Sequence, residues 1–244
     1  MDRFGLIGYP ISHSISPALF SAAYGGRYNY DLIETPSFEE AWERFLKGYK
    51  AVNVTAPFKV MAARRADFLA PEVEKIGAAN ILVRREEGTV AHNSDYLGVR
   101  GVLARAIAHP ESARALVVGF GGAGMAAAQA ARDLGMDVTV CNRSTDKAPG
   151  IRPLSDIASL AKDSEVLIYN IPQEIPEMAG VSVPVILEAN YKNPCLMNSA
   201  RSRYLSGTAW HLEQAVTGYV LMSGEIPDGE SMKKVYEPIL TSIT

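Results

Sequence analysis

The hexapeptide GFGGAG, Gly119 to Gly124, stands between the apolar run ALVV and the alanine-rich stretch MAAAQAARDLG. Glycines at this spacing, directly after a strand and directly before a helix, permit few folds. The first allows a tight turn, the second a close approach of backbone to ligand, and the third a close packing of helix on strand. A β-α-β unit follows. Its helix begins with unpartnered N–H groups and the positive end of the helix dipole, which together favour an anion. Gly119, Gly121, Gly122, Ala123 and Gly124 are therefore read as the pyrophosphate-binding turn of a dinucleotide site.

The next strand indicates which dinucleotide. In NAD-binding units a carboxylate about 20 residues further on accepts the ribose hydroxyls. Here the strand MDVTVC ends in Asn142-Arg143-Ser144-Thr145, with Lys147 close by and no carboxylate at the tip. Arg143 can stack on adenine and pair with a 2′-phosphate, while Asn142 and Ser144 supply amide and hydroxyl donors. NADP is expected as the cofactor rather than NAD.

Apolar runs alternate with helical patterns along the whole chain, the signature of an α/β fold with mainly parallel sheets. FGLIG, YNYDLIET and KAVNVT read as strands of a first unit, and ANILVRREEGTVAHNS as a hairpin about Glu87-Gly88. SPALFSAAY reads as a helix with Ser16 as N-cap and Pro17 at its first position. Ser37 and Glu40 form a capping box for SFEEAWERFL. A helix begins near Lys59, and another runs from about Tyr96 to Ala108 before the linker HPESA. MDVTVCN, EVLIYN and VPVILEA are the later strands of a second unit, and helical patterns lie near 210–223 and 228–241.

At 244 residues and 48% hydrophobic content the chain can bury the core of one large domain or two modest ones. A net charge of −3 gives no bulk attraction to nucleic acid or an anionic membrane. No apolar stretch reaches the ~18 residues of a spanning helix, and the opening MDRFGLIGYP lacks signal-peptide blocks. Two cysteines, Cys141 and Cys195, suit a reducing compartment, so a cytoplasmic protein is expected. The four histidines lack metal-ligand spacing, and no metal is expected.

HSISP (13–17), NVTAPFK (53–59), GAAN (77–80), HNSDYLG (92–98), GFGGAG (119–124) and NRS (142–144) occur in the order and approximate spacing of the shikimate dehydrogenases. The chain resembles that family over nearly its whole length. The resemblance implies a substrate domain of residues 1–96 plus 209–244 and a Rossmann-like NADP domain of 97–208. It implies reduction of 3-dehydroshikimate to shikimate with NADPH, small-molecule substrates, and a monomer or homodimer. Lys59 matches the family's catalytic lysine and Asp95 its aspartate partner. Ser14 and Ser16 match the serines that hold the substrate carboxylate; Thr55, Asn80, Asn93, Tyr191 and Gln214 match positions facing its hydroxyls.

The chemistry of those residues agrees. Hydroxyls at a helix N-terminus suit a carboxylate. Hydride transfer to a ketone builds charge on the carbonyl oxygen, which an ammonium held ionised by a carboxylate can stabilise and protonate. Amides and hydroxyls suit a polyol ring, because a missing partner leaves buried groups unpaired.

Ile81, Ser94 and Glu188 depart from the family pattern, as does the loop YNIPQEIPEM. The largest departure is Ala209-Trp210-His211, where the family usually shows Gly-Met-Leu. His211 is read as a helical surface histidine, and His13 as a structural hydrogen-bonding residue. Quinate or a related polyol acid as substrate, NAD as cofactor, and a non-catalytic NADP-binding regulator are the competing expectations. Methylenetetrahydrofolate dehydrogenases rank below them, since they explain neither the serine pair nor HNSD.

Overall fold

Strand β1 (Arg3–Gly8) is buried from Phe4 to Gly8 on both of its faces, as a central strand of a covered parallel sheet must be. A computed structural model describes residues 2–198 and 202–238 of the chain. They divide into two compact units, one running through Ser94 and resuming at Gln214, the other comprising Asp95–Glu213.

In the first unit β1 is flanked in parallel by β2 (Asn29–Glu34) and β3 (Ala51–Val54). Between them come α1 (Ser16–Tyr24) and α2 (Phe38–Gly48), and after β3 comes α3 (Lys59–Arg65). A short edge strand β4 (Phe68–Leu69) and the helix α4 (Pro71–Ile76) precede the hairpin of β5 (Ile81–Arg85) and β6 (Gly88–His92). The sheet order is β2-β1-β3-β5-β6-β4, with β5 antiparallel to both its neighbours. Phe38, Ala41, Trp42 and Phe45 lie at helical spacing on α2 and are all buried. They pack with Ile7, Ile33, Val52 and Phe58 in one core.

Two expected helix starts differ in detail. Ile15, not Ser16, is the N-cap of α1, and Ser16 is its first helical residue. The Ser14 hydroxyl accepts the Ser16 N–H at 3.2 Å, so a serine two residues upstream takes one of the N–H groups left open at the helix start. At α2, Ser37 accepts the Glu40 N–H, but the Glu40 carboxylate turns away to the Thr35 hydroxyl at 2.8 Å. The Ser37 N–H goes to Thr35 as well, so the capping box closes on one side alone.

In the second unit α5 (Ser94–Ala106), of which Ser94 belongs to the first unit, precedes β7 (Arg114–Val118) and α6 (Gly122–Asp133). Then come β8 (Asp137–Cys141), α7 (Ile157–Leu160), β9 (Val166–Tyr169), β10 (Val185–Glu188) and β11 (Arg203–Leu205). The order β11-β10-β9-β7-β8 is parallel throughout, a Rossmann-like sheet. Helix α8 (Gly207–Ser223) follows, its residues from Gln214 onward belonging to the first unit. Helix α9 (Gly229–Lys234) is capped by Asp228, which accepts from the N–H groups of Glu230 and Ser231. Residues 239–241 of the helical pattern expected there lie outside the described residues. No helix of the described residues is long and apolar enough to cross a membrane.

Candidate functional site

Register brings the predicted residues of the first unit to one edge of its sheet. Ile7 lies opposite Val54, and Ile81 lies opposite both Asn53 and His92. Thr55, Asn80 and Asn93 each stand one residue beyond those pairs, at the same end. The backbone knits them together: Thr55 N–H donates to Ile7, Val54 N–H to Asn80, and Asn80 N–H to His92. Lys59 opens α3 at this edge, half-buried, and its carbonyl accepts the Ala79 N–H at 2.8 Å.

Side chains form a polar row along the edge. The Ser14 hydroxyl donates to Ser16 at 3.0 Å. Burial raises the pKa of Tyr30 far above the ordinary phenol value, against which a hydrogen bond from Ser16 acts. The Tyr30 hydroxyl donates to Asn53 Oδ1 at 2.8 Å. Asn80 is buried and caps α5 from the bend before β5: its Oδ1 accepts the Ser94 N–H at 2.7 Å. Gln214 Oε1 accepts from the Ser94 hydroxyl at 2.9 Å and from Asn80 Nδ2 at 3.4 Å. Asn93, fully buried, donates through Nδ2 to the Ala78 carbonyl at 2.8 Å. Ser94 thus keeps the hydroxyl that the polar row uses. Ile81 instead fills space: a methyl group placed on Gly218 would meet its Cδ1 at 2.8 Å.

Tyr30 and Asn53 were not among the predicted site residues. Strand alternation carries the signal for them. Tyr30 pairs with Phe4 and Asn53 with Leu6, two positions that share a face of β1.

In the second unit the strand ends again define an edge. Val118 lies opposite Cys141 and Tyr169, and Tyr169 opposite Glu188. Gly119, Asn142, Asn170 and Ala189 follow these strand ends in one row, where ligands of open α/β sheets bind. Gly119 has φ +90°, and a Cβ on Gly124 would come within 2.0 Å of the Gly119 carbonyl oxygen. The turn admits glycine alone at both positions. Gly121 caps α6 without any side-chain bond, so this cradle fits an anionic phosphate. Asn142 is committed to the turn: its Oδ1 accepts the Phe120 N–H at 3.1 Å, and its Nδ2 donates to the Ser144 carbonyl. Arg143 is exposed beside it, and Lys147 lies 3.5 Å from the Phe120 carbonyl. Asp146 precedes Lys147 in the short helical turn of Thr145–Lys147, so the carboxylate stands beyond the strand tip, and the exposed guanidinium of Arg143 at the tip suits a 2′-phosphate.

Asp95 and Tyr191, both half-buried, also belong to the second unit. Burial pushes the Tyr191 phenol up to about 12, so it stays a neutral donor. Its ring stacks on His211, with centroids 4.4 Å apart and planes at 26°. His211 lies on a helix, as expected, but is half-buried rather than on the open surface, because Tyr191 from a preceding loop stacks on it. Trp210 is buried, and its indole N–H donates to the Asp95 carbonyl at 3.1 Å. Glu188, also buried, accepts from Cys195 N–H and Sγ, Leu196 N–H and the Tyr204 hydroxyl. Among the described residues no group of three or more His, Cys, Asp or Glu is placed to hold a metal.

Comparison with known proteins follows this division. Residues 6–82 match the shikimate dehydrogenase substrate binding domain, and residues 89–181 match the alanine dehydrogenase/PNT C-terminal domain. A shikimate dehydrogenase (NADP(+)) of Thermus thermophilus is 35% identical in sequence, over 96% of this chain and 97% of that protein. Shikimate 5-dehydrogenase from the same organism, solved with NADP(H) and shikimate, superposes with a TM-score of 0.83 over 98% of this chain and 100% of that one, at 27% identity. Mycobacterium tuberculosis shikimate dehydrogenase superposes with a TM-score of 0.84 at 31% identity, over 98% and 100% of the two chains.

Proposed function

The chain belongs to the shikimate dehydrogenase family, and from that premise we propose which of its residues carry the NADP-dependent interconversion of 3-dehydroshikimate and shikimate. The observation that supports the assignment most directly is the polar row from Ser14 to Gln214 on one edge of the substrate-domain sheet. Such a row offers hydroxyl and amide partners to a carboxylated polyol ring, and leaves them unpaired for a ring that lacks its own hydroxyls. The substrate domain is assigned to residues 1–96 plus 209–244 and the NADP domain to 97–208, bounds that lie two and five residues from the division of the chain after Ser94 and before Gln214.

NADPH, when bound, supplies the hydride. Ser14 and Ser16 hold the substrate carboxylate at the start of α1. Thr55, Asn80, Asn93, Tyr191 and Gln214 face the ring hydroxyls. Lys59 donates its proton to the oxygen on which charge develops, with Asp95 as its carboxylate partner. Gly119, Gly121, Gly122, Ala123 and Gly124 receive the pyrophosphate through backbone N–H groups. Asn142 holds their turn in shape, while Arg143 and Ser144 receive the 2′-phosphate. The enzyme is read as cytoplasmic, and as a monomer or homodimer.

The test is loss of NADPH absorbance with 3-dehydroshikimate, first for the parent chain and then for Lys59→Ala. Removing a general acid should lower kcat by about 100- to 10,000-fold. Shikimate binding, followed by isothermal titration, should be largely kept. A variant as fast as the parent would take the role away from Lys59.

A further inference from the structure

Tyr191 projects from a loop whose two ends are tightly held. On one side Asn190 Oδ1 accepts the N–H groups of Lys192 and Asn193, and its Nδ2 donates to the Pro172 and Asn193 carbonyls. On the other, the buried Glu188 carboxylate accepts the N–H groups of Cys195 and Leu196. These bonds fix the backbone that carries the Tyr191 ring. The ring meets His211, stacked at 4.4 Å and 26°. His211 is itself borne by a fixed turn of α8, because its neighbour Trp210 is 4% exposed and bonded through its indole N–H to the Asp95 carbonyl. Lys192 Nζ lies 5.9 Å from the Tyr191 ring centroid, so a cation also faces this aromatic pair.

We propose that His211 is a positioning residue for the substrate: its imidazole, stacked on Tyr191, sets the line along which the phenol hydroxyl reaches a ring hydroxyl of shikimate. This rests on the substrate-binding role assigned to Tyr191 above. Imidazole acts here through its flat face, so an aromatic replacement substitutes for it and an aliphatic one does not. Trp210-His211 thereby turns a segment that is otherwise a departure from the family pattern into the support of Tyr191.

The experiment compares His211→Ala and His211→Phe with the parent, measuring KM for shikimate, KM for NADP+ and kcat. Shikimate affinity is followed in parallel by isothermal titration. Losing an aromatic pair should raise the shikimate KM and Kd of His211→Ala by about 2- to 12-fold. The NADP+ KM should stay unchanged, and His211→Phe should restore most of the loss. In a Tyr191→Leu background His211→Ala should have no further effect, since the two act as a unit. An unchanged shikimate Kd in His211→Ala overturns the proposal, and so does a folded His211→Phe as impaired as His211→Ala. A parent chain that neither binds nor oxidises shikimate overturns the underlying substrate assignment instead, and this outcome is told apart by the parent measurement alone.

Discussion

At the scale of single residues, the chemistry is decided by what surrounds each titratable group. Burial, and then a bond to the Glu188 carboxylate, pushes the Cys195 thiol up to about 12; burial, as the largest cause, pushes Cys141 up to about 11. Neither is a thiolate at pH ~8, so iodoacetamide should alkylate both roughly 100-fold or more slowly in the native protein than in urea, as peptide mass spectrometry will show. Glu72 illustrates a balance of opposite sign. Burial pushes its carboxyl up, but bonds from His92, from its own backbone and from the Asn93 N–H outweigh this and leave it below the usual 4.5. The folded chain therefore binds that proton less readily than the unfolded one. Its contribution to stability is complete above about 4.5 and is lost as the pH falls through the lowered value. Urea midpoints taken across that window should drop for the parent and change less for Glu72→Gln. At Arg143, replacement by Ala should weaken NADP+ binding more than NAD+ binding, because both carry the adenine but only the former carries the 2′-phosphate.

Within elements, short-range signals were legible where they were strong and failed where a neighbour competed. The glycine turn was readable because its spacing encodes backbone geometry rather than side-chain contacts. Gly124→Ala should accordingly weaken NADPH binding by about tenfold or more in a fluorescence titration, since a Cβ 2.0 Å from the Gly119 oxygen forces the turn open. The burial stripe of α2 was equally plain. By contrast, β4, α4 and β11 span 2, 6 and 3 residues, too few to establish a period. Ser16 looked like a cap because the sequence around it suited one, yet the helix starts at Ser16 itself, with Ile15 before it as the cap residue. At the start of α8, Trp210→Phe keeps an aromatic ring but removes the donor to the Asp95 carbonyl. That loss should cost about 1 kcal/mol and lower the melting temperature by a few degrees.

For the molecule as a whole, the α/β class and the presence of a dinucleotide unit were legible from alternation and from one glycine motif, because both report repeating local geometry. The order of the motifs along the chain likewise carried the family, with similarity extending over 96% of the chain. What tertiary structure alone decided is which polar groups meet. Tyr30 reaches Asn53, Asn80 caps a helix that starts 14 residues later, and Gln214 closes the row from the far end of the chain. Stacking of His211 on Tyr191 joins residues about 20 positions apart on different elements. A sequence states which side chains are available and how each segment prefers to wind. Pairing among them depends on sheet register and helix docking, which arise from burial summed over the entire core and are written in no single stretch of residues.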